Sequence, residues 1–135
     1  MDCVFCRVAA YAVDAAIVYE DPDHLAFLDH RPLFPGHVLV VPRAHVETLL
    51  DLVPEAVGPL FLCVQRIARA VEVGLPADGV FVANNNRVSQ SVAHLHVHVV
   101  PRWKKDGLKG FFWPRHPYGS AEELRRTRDR IAAAL

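Results

Sequence analysis

The hydrophobic and polar positions of this chain predict five short strands and two helices. β-Branched and aromatic residues gather in short runs that end at Asp, Asn, Pro or Gly, as strands end at turns. The connections are mostly hairpin-like, and the predicted order of elements is β-β-β-α-β-β-α. The pattern therefore predicts an α+β domain with a long helix packed on one face of an antiparallel sheet. The predicted strands are residues 17–20, 24–28, 37–41, 79–83 and 94–99.

The long helix is predicted by apolar residues that recur every three or four positions between residues 60 and 71. Its start is open, because proline inside a helix removes a backbone donor. The helix begins either at Pro59 or near Pro54 with a kink. Gly74 is predicted to cap its C-terminus. Residues 120–123, Ser-Ala-Glu-Glu, predict the start of a second, basic helix at the C-terminus.

Three histidines alternate with apolar residues in the last predicted strand, at His94, His96 and His98. Because a strand points successive side chains to opposite faces, the three imidazoles are predicted to share one face, with Leu95 and Val97 in the core. Imidazole is a nucleophile, titrates near neutral pH and binds metals. The residues alone therefore leave three hypotheses: a nucleophilic histidine with two helpers, a metal site of all three, or a solvated polar face.

The composition limits the class of protein. A chain of 135 residues is expected to form one domain. Its formal net charge of zero argues against binding a nucleic acid polymer, which needs a basic face. No apolar run approaches the ~18 residues of a membrane span, and no secretory signal pattern is visible. We therefore expect a cytoplasmic protein that contacts no membrane.

The three cysteines cannot all pair with one another, which favours reduced thiols. Cys3 and Cys6 stand at metal-ligand spacing, but they supply only two ligands. A metal site would need two more ligands from distant parts of the chain.

The histidine pattern at residues 94–101 resembles the signature of the histidine triad (HIT) family of nucleotide hydrolases and transferases. Four more segments are similar to family motifs. Residues 90–93 resemble Gln-Ser-Val-x before the triad, and residues 36–45 resemble Gly-His-x-Leu-Val-φ-Pro-Lys/Arg-x-His, with φ apolar. Residues 26–29 resemble a nucleoside-binding Ala-Phe-x-Asp, and residues 3–6 resemble the cysteine pair of zinc-containing bacterial members.

The resemblance implies a single HIT domain over residues 1–135, with a five-stranded antiparallel sheet and a homodimeric assembly. The motifs fall within residues 1–102, and residues 103–135 form a variable C-terminal segment and helix. The implied activity is cleavage at the α-phosphate of a nucleoside phosphoramidate or dinucleoside polyphosphate. The implied substrate is a purine nucleotide that yields an AMP- or GMP-type product.

The resemblance also implies the roles of individual residues. His96 is expected to attack the α-phosphorus and form a covalent nucleotidyl-histidine, and His98 to donate a hydrogen bond to a phosphoryl oxygen. The expected nucleotide- and phosphate-binding residues are Asp29, Asn84, Gln90, Ser91 and His98, with Asp29 at the ribose hydroxyls.

In zinc-containing relatives the ligands match Cys3, Cys6, His45 and His94. Two thiolates and two imidazoles make the closed tetrahedral set that structural zinc prefers. We therefore expect one structural Zn²⁺ per chain, which would act on the nucleophile only by holding the structure around it.

One residue departs from the family pattern. Ser89 stands where family members often have glycine before the glutamine. If that backbone needs a positive φ, serine fits it less well than glycine.

Two alternatives to an enzyme with a covalent nucleotidyl-histidine intermediate remain. One is a nucleotide-binding regulatory or scaffold protein with little turnover, and the other is a metallohydrolase with the three triad histidines as ligands.

Residues 110–113, Gly-Phe-Phe-Trp, are predicted to close over the active site or a dimer partner, or else to plug the core. The neighbouring cations could meet a polyphosphate leaving group; they are Lys104, Lys105 and Lys109.

Overall fold

The computed structural model describes residues 2–109 and 114–135, in which five strands and three α-helices are present. The elements are α1 Val4–Ala9, β1 Ile17–Glu20, β2 His24–Leu28, β3 Val38–Pro42, a 3₁₀ turn Leu49–Asp51, α2 Pro54–Gly74, β4 Gly79–Ala83, β5 Val97–Arg102 and α3 Ala121–Ala133. The predicted aromatic segment 110–113 lies outside the described residues.

The strands form one antiparallel sheet in the order β1-β2-β3-β5-β4. β3 lies at the centre and is buried at all five positions. His98 in β5 is paired with Leu39 on one side and with Ala83 on the other. The α+β class and the five-stranded antiparallel sheet are confirmed, and the register places the triad strand in the interior of the sheet.

Side chains on the two faces of the sheet build two separate clusters. In β3, Val38 and Val40 face α2, whereas Leu39 and Val41 face α1, as the two-residue period of a strand requires. The apolar stripe of α2 covers the first face through Leu60, Cys63, Val64, Ile67 and Val71. The second face, which α1 covers, is therefore the one available to the triad.

The helix α2 begins at Pro54 and contains Pro59 in its interior, which decides between the two predicted starts. The prediction that Gly74 caps this helix is wrong. Gly74 is its last helical residue, and the capping residue is Leu75, whose N–H donates to the carbonyl of Val71 at 3.1 Å.

The paired part of the triad strand is shorter than predicted, because it begins at Val97 rather than His94. The reason is that the Leu95 N–H donates to the carbonyl of Val46, at 2.7 Å, outside the sheet ladder. The alternation nevertheless holds, since Leu95 and Val97 pack in the core under α2, as predicted.

The C-terminal helix α3 forms where the sequence predicts it. The Ser120 hydroxyl accepts a hydrogen bond from the Glu123 N–H at 3.0 Å, which satisfies an otherwise unpaired donor of the first turn. None of the residues of α3 is buried. Across the described ranges, no helix is both long and apolar enough to cross a membrane.

Candidate active site

His96 is held in one tautomer by the backbone of its own segment. Its Nδ1 lies 2.7 Å from the carbonyl oxygen of His94, and since a carbonyl can only accept, Nδ1 carries the proton. The carbonyl of His96 in turn accepts from the Asn84 side-chain amide at 2.9 Å. The other ring nitrogen, Nε2, is left with a free lone pair on a residue that lines a cleft. This is the arrangement that a nucleophilic imidazole requires.

His98 and His37 form a second fixed pair. The Leu33 N–H donates to Nδ1 of His37 at 3.1 Å, so the neutral His37 ring carries its proton on Nε2. That Nε2–H faces Nδ1 of His98 at 2.9 Å. His98 accepts there and therefore carries its own proton on Nε2. This series of hydrogen bonds leaves the Nε2–H of His98 to donate to a ligand beside His96. The ring centroids of His96 and His98 are 5.0 Å apart.

Burial keeps these two rings neutral. Desolvation, together with the neighbouring His96 and His37 rings, lowers the pKa of His98 to about 4, although the Asp29 carboxylate opposes the shift. Burial also lowers the pKa of His37, although Asp29, 3.8 Å from its Nε2, opposes the shift. At neutral pH both rings are therefore uncharged donors and acceptors of defined direction.

The cleft beside the triad has a volume of about 1250 Å³. Its floor includes His96 and His98, and Asp29 and Ser91 lie on its walls. The remaining lining is mostly apolar and comes from α1, the segment after it, β2 and β3. It includes Val4, Val8, Val13, Phe27 and Leu39. A large, mostly apolar cleft with a few polar groups at one end is typical of a small-molecule site.

The predicted phosphate-binding residues do not all face this cleft. Ser91 lines it, whereas the Asn84 amide donates to the His96 carbonyl. The Gln90 amide donates to the carbonyl of Glu47 at 2.5 Å, and its Oε1 accepts from the Arg87 N–H at 2.8 Å. In this structure Asn84 and Gln90 therefore hold the backbone around the site.

The loop before the triad has two residues in the left-handed region, Arg87 with φ +72° and Ser89 with φ +59°. Position 89 therefore has the positive φ at which serine fits less well than glycine. A non-glycine residue is strained in this region, because its Cβ approaches the backbone carbonyl.

The predicted metal ligands Cys3, Cys6, His45 and His94 gather in one place, with all four ligand atoms within 4.8 Å of one another. Nδ1 of His94 lies 3.5 Å from the Cys3 sulfur and 3.6 Å from the Cys6 sulfur, and Nδ1 of His45 lies 3.3 Å from the Cys6 sulfur. Tetrahedral zinc, with bonds of ~2.3 Å to sulfur and ~2.0–2.1 Å to nitrogen, has sulfur–nitrogen edges of about 3.5 Å. The four residues therefore fit a metal of this kind.

The ring of His94 is already oriented for a metal. Its Nε2 lies 2.8 Å from the carbonyl of Pro42, which fixes the proton on Nε2 and turns the Nδ1 lone pair toward the cysteines. Burial lowers the pKa of His94 and so favours the neutral, ligating form. Among the described residues, no group of candidate ligands gathers all three triad histidines, which argues against the metallohydrolase hypothesis.

His37 is the site residue that the sequence analysis did not single out. It lies within the 36–45 motif, but its partner His98 is 61 residues away along the chain. The pairing depends on the β3–β5 register, which a local pattern does not contain. The available signal was a histidine at the first position of the predicted strand 37–41.

The profile of the HIT domain family matches residues 11–105. The chain belongs to the HIT family. The crystal structure of a HIT family protein from Bacillus subtilis is 35% identical, covers 100% of this chain and 98% of its own, and superposes with a TM-score of 0.90. The structure of a zinc-bound histidine triad family protein from Mycobacterium smegmatis is 39% identical and covers 100% and 99% of the two chains, with a TM-score of 0.76.

An enzyme is also among the relatives of this HIT chain. The adenosine 5'-monophosphoramidase hnt1 of Schizosaccharomyces pombe is 29% identical, over 100% of this chain and 99% of its own. The relatives thus include a protein named as a phosphoramidase and a histidine triad protein with zinc bound.

Replacing Ser89 by glycine is expected to raise the free energy of unfolding by about 0.5–1 kcal/mol, because glycine removes the strain at φ +59° and loses only part of that gain to unfolded-chain entropy. Urea denaturation measures the change. As a matched control, Arg69→Gly on the exposed face of α2 should lower stability by about 1 kcal/mol. A Ser89→Gly protein no more stable than the original would contradict the strain at this position.

Proposed function

We propose that this HIT protein is a nucleotide hydrolase or nucleotidyl transferase that cleaves at the α-phosphate through a covalent intermediate on His96. The observation that carries the proposal is the bond from His96 Nδ1 to the His94 carbonyl, which leaves Nε2 as a nucleophile in the cleft. The phosphoramidase among its relatives supports a purine nucleoside phosphoramidate as substrate, and a dinucleoside polyphosphate shares the same nucleotidyl half.

In the first step, the Nε2 lone pair of His96 attacks the α-phosphorus, and the bond from phosphorus to the leaving amine or polyphosphate breaks with its electron pair. The leaving group takes up a proton from solvent, and a nucleotidyl-His96 forms. The Nδ1–H bond to the His94 carbonyl stabilises the positive charge that the ring gains. One difficult displacement becomes two easier ones.

In the second step, water attacks the same phosphorus and loses a proton to solvent, and the bond to His96 breaks with its electron pair. This returns the neutral ring and releases the nucleoside monophosphate. In both steps His98 Nε2–H is the donor for the phosphoryl oxygens, because His37 occupies its other nitrogen. Ser91 is the second donor from the cleft wall, and Asp29 accepts hydrogen bonds from the ribose hydroxyls. Asn84 and Gln90 keep the loop and the His96 carbonyl in place.

We also propose that the Cys3–Cys6–His45–His94 cluster holds one structural Zn²⁺ per chain. The fit of the ligand distances and the zinc-bound relative support this. Four protein ligands close the coordination shell, so the metal would not activate water. A zinc–thiolate site and free cysteines suit a reducing compartment such as the cytoplasm.

The homodimer is proposed to form through β4. This edge strand has a regular register and no charged residue, and Val82 is 43% exposed on it. The opposite edge, β1, is interrupted by an irregular register between Ile17 and Tyr19 and carries Glu20, which pairs with Arg43. Bulges and charges protect a sheet edge, whereas a regular apolar edge favours pairing with another strand.

His96→Ala is expected to lower turnover of adenosine phosphoramidate by at least about a thousandfold, because no other group supplies the nucleophile. Binding of AMP, measured by calorimetry, should change little. Acid-quenched wild-type protein should carry a nucleotidyl adduct on His96 in peptide mass spectra.

The exposed His116→Ala is the matched control and should keep full activity. Near-normal turnover by His96→Ala, or an adduct on another histidine, would refute the mechanism. AMP binding by wild-type protein with no turnover of any nucleotide substrate would favour the regulatory or scaffold alternative.

Metal analysis of protein purified without chelators should find about one zinc per chain, and Cys3→Ser should lose it and melt at a lower temperature. Cys63→Ala is the control and should retain the zinc, since Cys63 is a core residue of α2 and is not one of the four proposed ligands. Full zinc content in Cys3→Ser would exclude this ligand set.

Light scattering should give the mass of a dimer, and Val82→Lys should shift the protein to a monomer, because it places a charge on the sheet face beside the proposed partner strand. Val18→Lys makes the same change at an exposed position of the other edge and should remain dimeric. A dimeric Val82→Lys protein would show that β4 is not the contact.

A further inference from the structure

Phe5 occupies a position that links the cysteine cluster to the nucleophile. It lies in α1 between Cys3 and Cys6, and its side chain is almost fully buried. Its ring meets that of His96 edge to face, with centroids 5.2 Å apart and planes at 83°. It meets the ring of His94 in the same manner, at 5.9 Å and 75°. One side chain thus touches both a candidate zinc ligand and the candidate nucleophile.

These contacts restrain the face of the His96 ring. The hydrogen bond from Nδ1 to the His94 carbonyl fixes one edge of the imidazole, but a ring can still tilt about such a bond. Edge-to-face packing is the favourable geometry for two rings and opposes that tilt. Phe5 is itself held from behind by Phe27, at 5.4 Å and 69°. The direction of the Nε2 lone pair therefore depends on where α1 holds Phe5.

The position of α1 depends in turn on the cysteines. The helix has six residues, which is too short to be stable by itself. The Cys3 sulfur accepts from the Cys6 N–H at 3.4 Å, and both sulfurs lie against His94. A metal bound by Cys3 and Cys6 would join both ends of the Phe5 turn to the segment that carries His96.

We propose that Phe5 is a positioning residue for His96, and that the zinc site acts on the reaction through this side chain. The proposal rests on the proposed function for its kinetic test. The competing explanation is that Phe5 only forms part of the cleft wall, as Val4 and Val8 of the same helix do. A wall residue affects substrate affinity, whereas a positioning residue affects the chemical step.

The test compares Phe5→Leu with Val8→Ala in zinc-loaded protein. Phe5→Leu keeps an apolar side chain but removes the ring, and it should lower kcat about tenfold while KM changes less than about twofold. Val8→Ala, on the same helix and in the same cleft but without a ring contact to His96, should instead raise KM several-fold. Both proteins should retain the zinc content of the wild type.

A second measurement does not depend on turnover. In the wild-type protein, ¹⁵N-edited NMR should show the Nδ1–H of His96 as a protected resonance, assigned by its loss in His96→Ala. Phe5→Leu should shift this resonance and speed its exchange with water, whereas Val8→Ala should leave it unchanged. If the wild type hydrolyses none of the nucleotides tried, the proposed function fails while this readout still tests Phe5.

Three results would overturn the proposal. The first is a Phe5→Leu protein with normal kcat and raised KM, which would make Phe5 a wall residue. The second is an unaltered His96 resonance in Phe5→Leu. The third is loss of zinc from Phe5→Leu, which would show that the ring supports the metal site rather than the nucleophile.

Discussion

The hydrogen bond from His96 Nδ1 to the carbonyl of His94 is the interaction on which the site depends. It sets the tautomer of His96. It also links the ring of the residue proposed as nucleophile to the backbone of the residue proposed as zinc ligand, two positions earlier in the chain. The carbonyl keeps its direction because Leu95, between the two histidines, is anchored twice. Its side chain is fully buried under α2, and its N–H donates to Val46. The orientation of the His96 ring on one face of the segment therefore depends on the packing of Leu95 on the other face.

The burial of His94, His37 and His98 is tolerated because each of these rings has a hydrogen-bond partner that suits its neutral form. His94 donates to the Pro42 carbonyl, and His37 donates to His98. In the described part of the chain, no buried side-chain nitrogen or oxygen lacks a hydrogen-bond partner. Burial lowers the pKa of His94, His37 and His98, so none of the three needs a counter-ion at neutral pH. The same neutrality leaves the Nδ1 lone pair of His94 available for a metal.

The sequence predicted what is local and missed what depends on distant pairing. The alternation of histidines with Leu95 and Val97 predicted which side chains of the triad strand lie in the core and which lie on the opposite face. Such a prediction needs only the two-residue period of neighbouring positions. The four metal candidates came from the family resemblance rather than from spacing, which gave only Cys3 and Cys6. The strand began three residues later than predicted, because Leu95 bonds to Val46 in a loop 49 residues earlier. No local pattern contains that partner, or the one that joins His37 to His98.

The loop before the triad shows where the fold accepts strain. Arg87 and Ser89 both adopt left-handed backbone conformations that favour glycine, directly before Gln90 and Ser91. The Gln90 side chain offsets this cost by accepting from the Arg87 N–H and donating to Glu47, which closes the turn from inside. A loop fixed in this way has its backbone arranged before the proposed phosphate ligand binds, so little ordering remains to be done on binding. Strain at these two positions is then consistent with preorganisation next to the proposed nucleotide site.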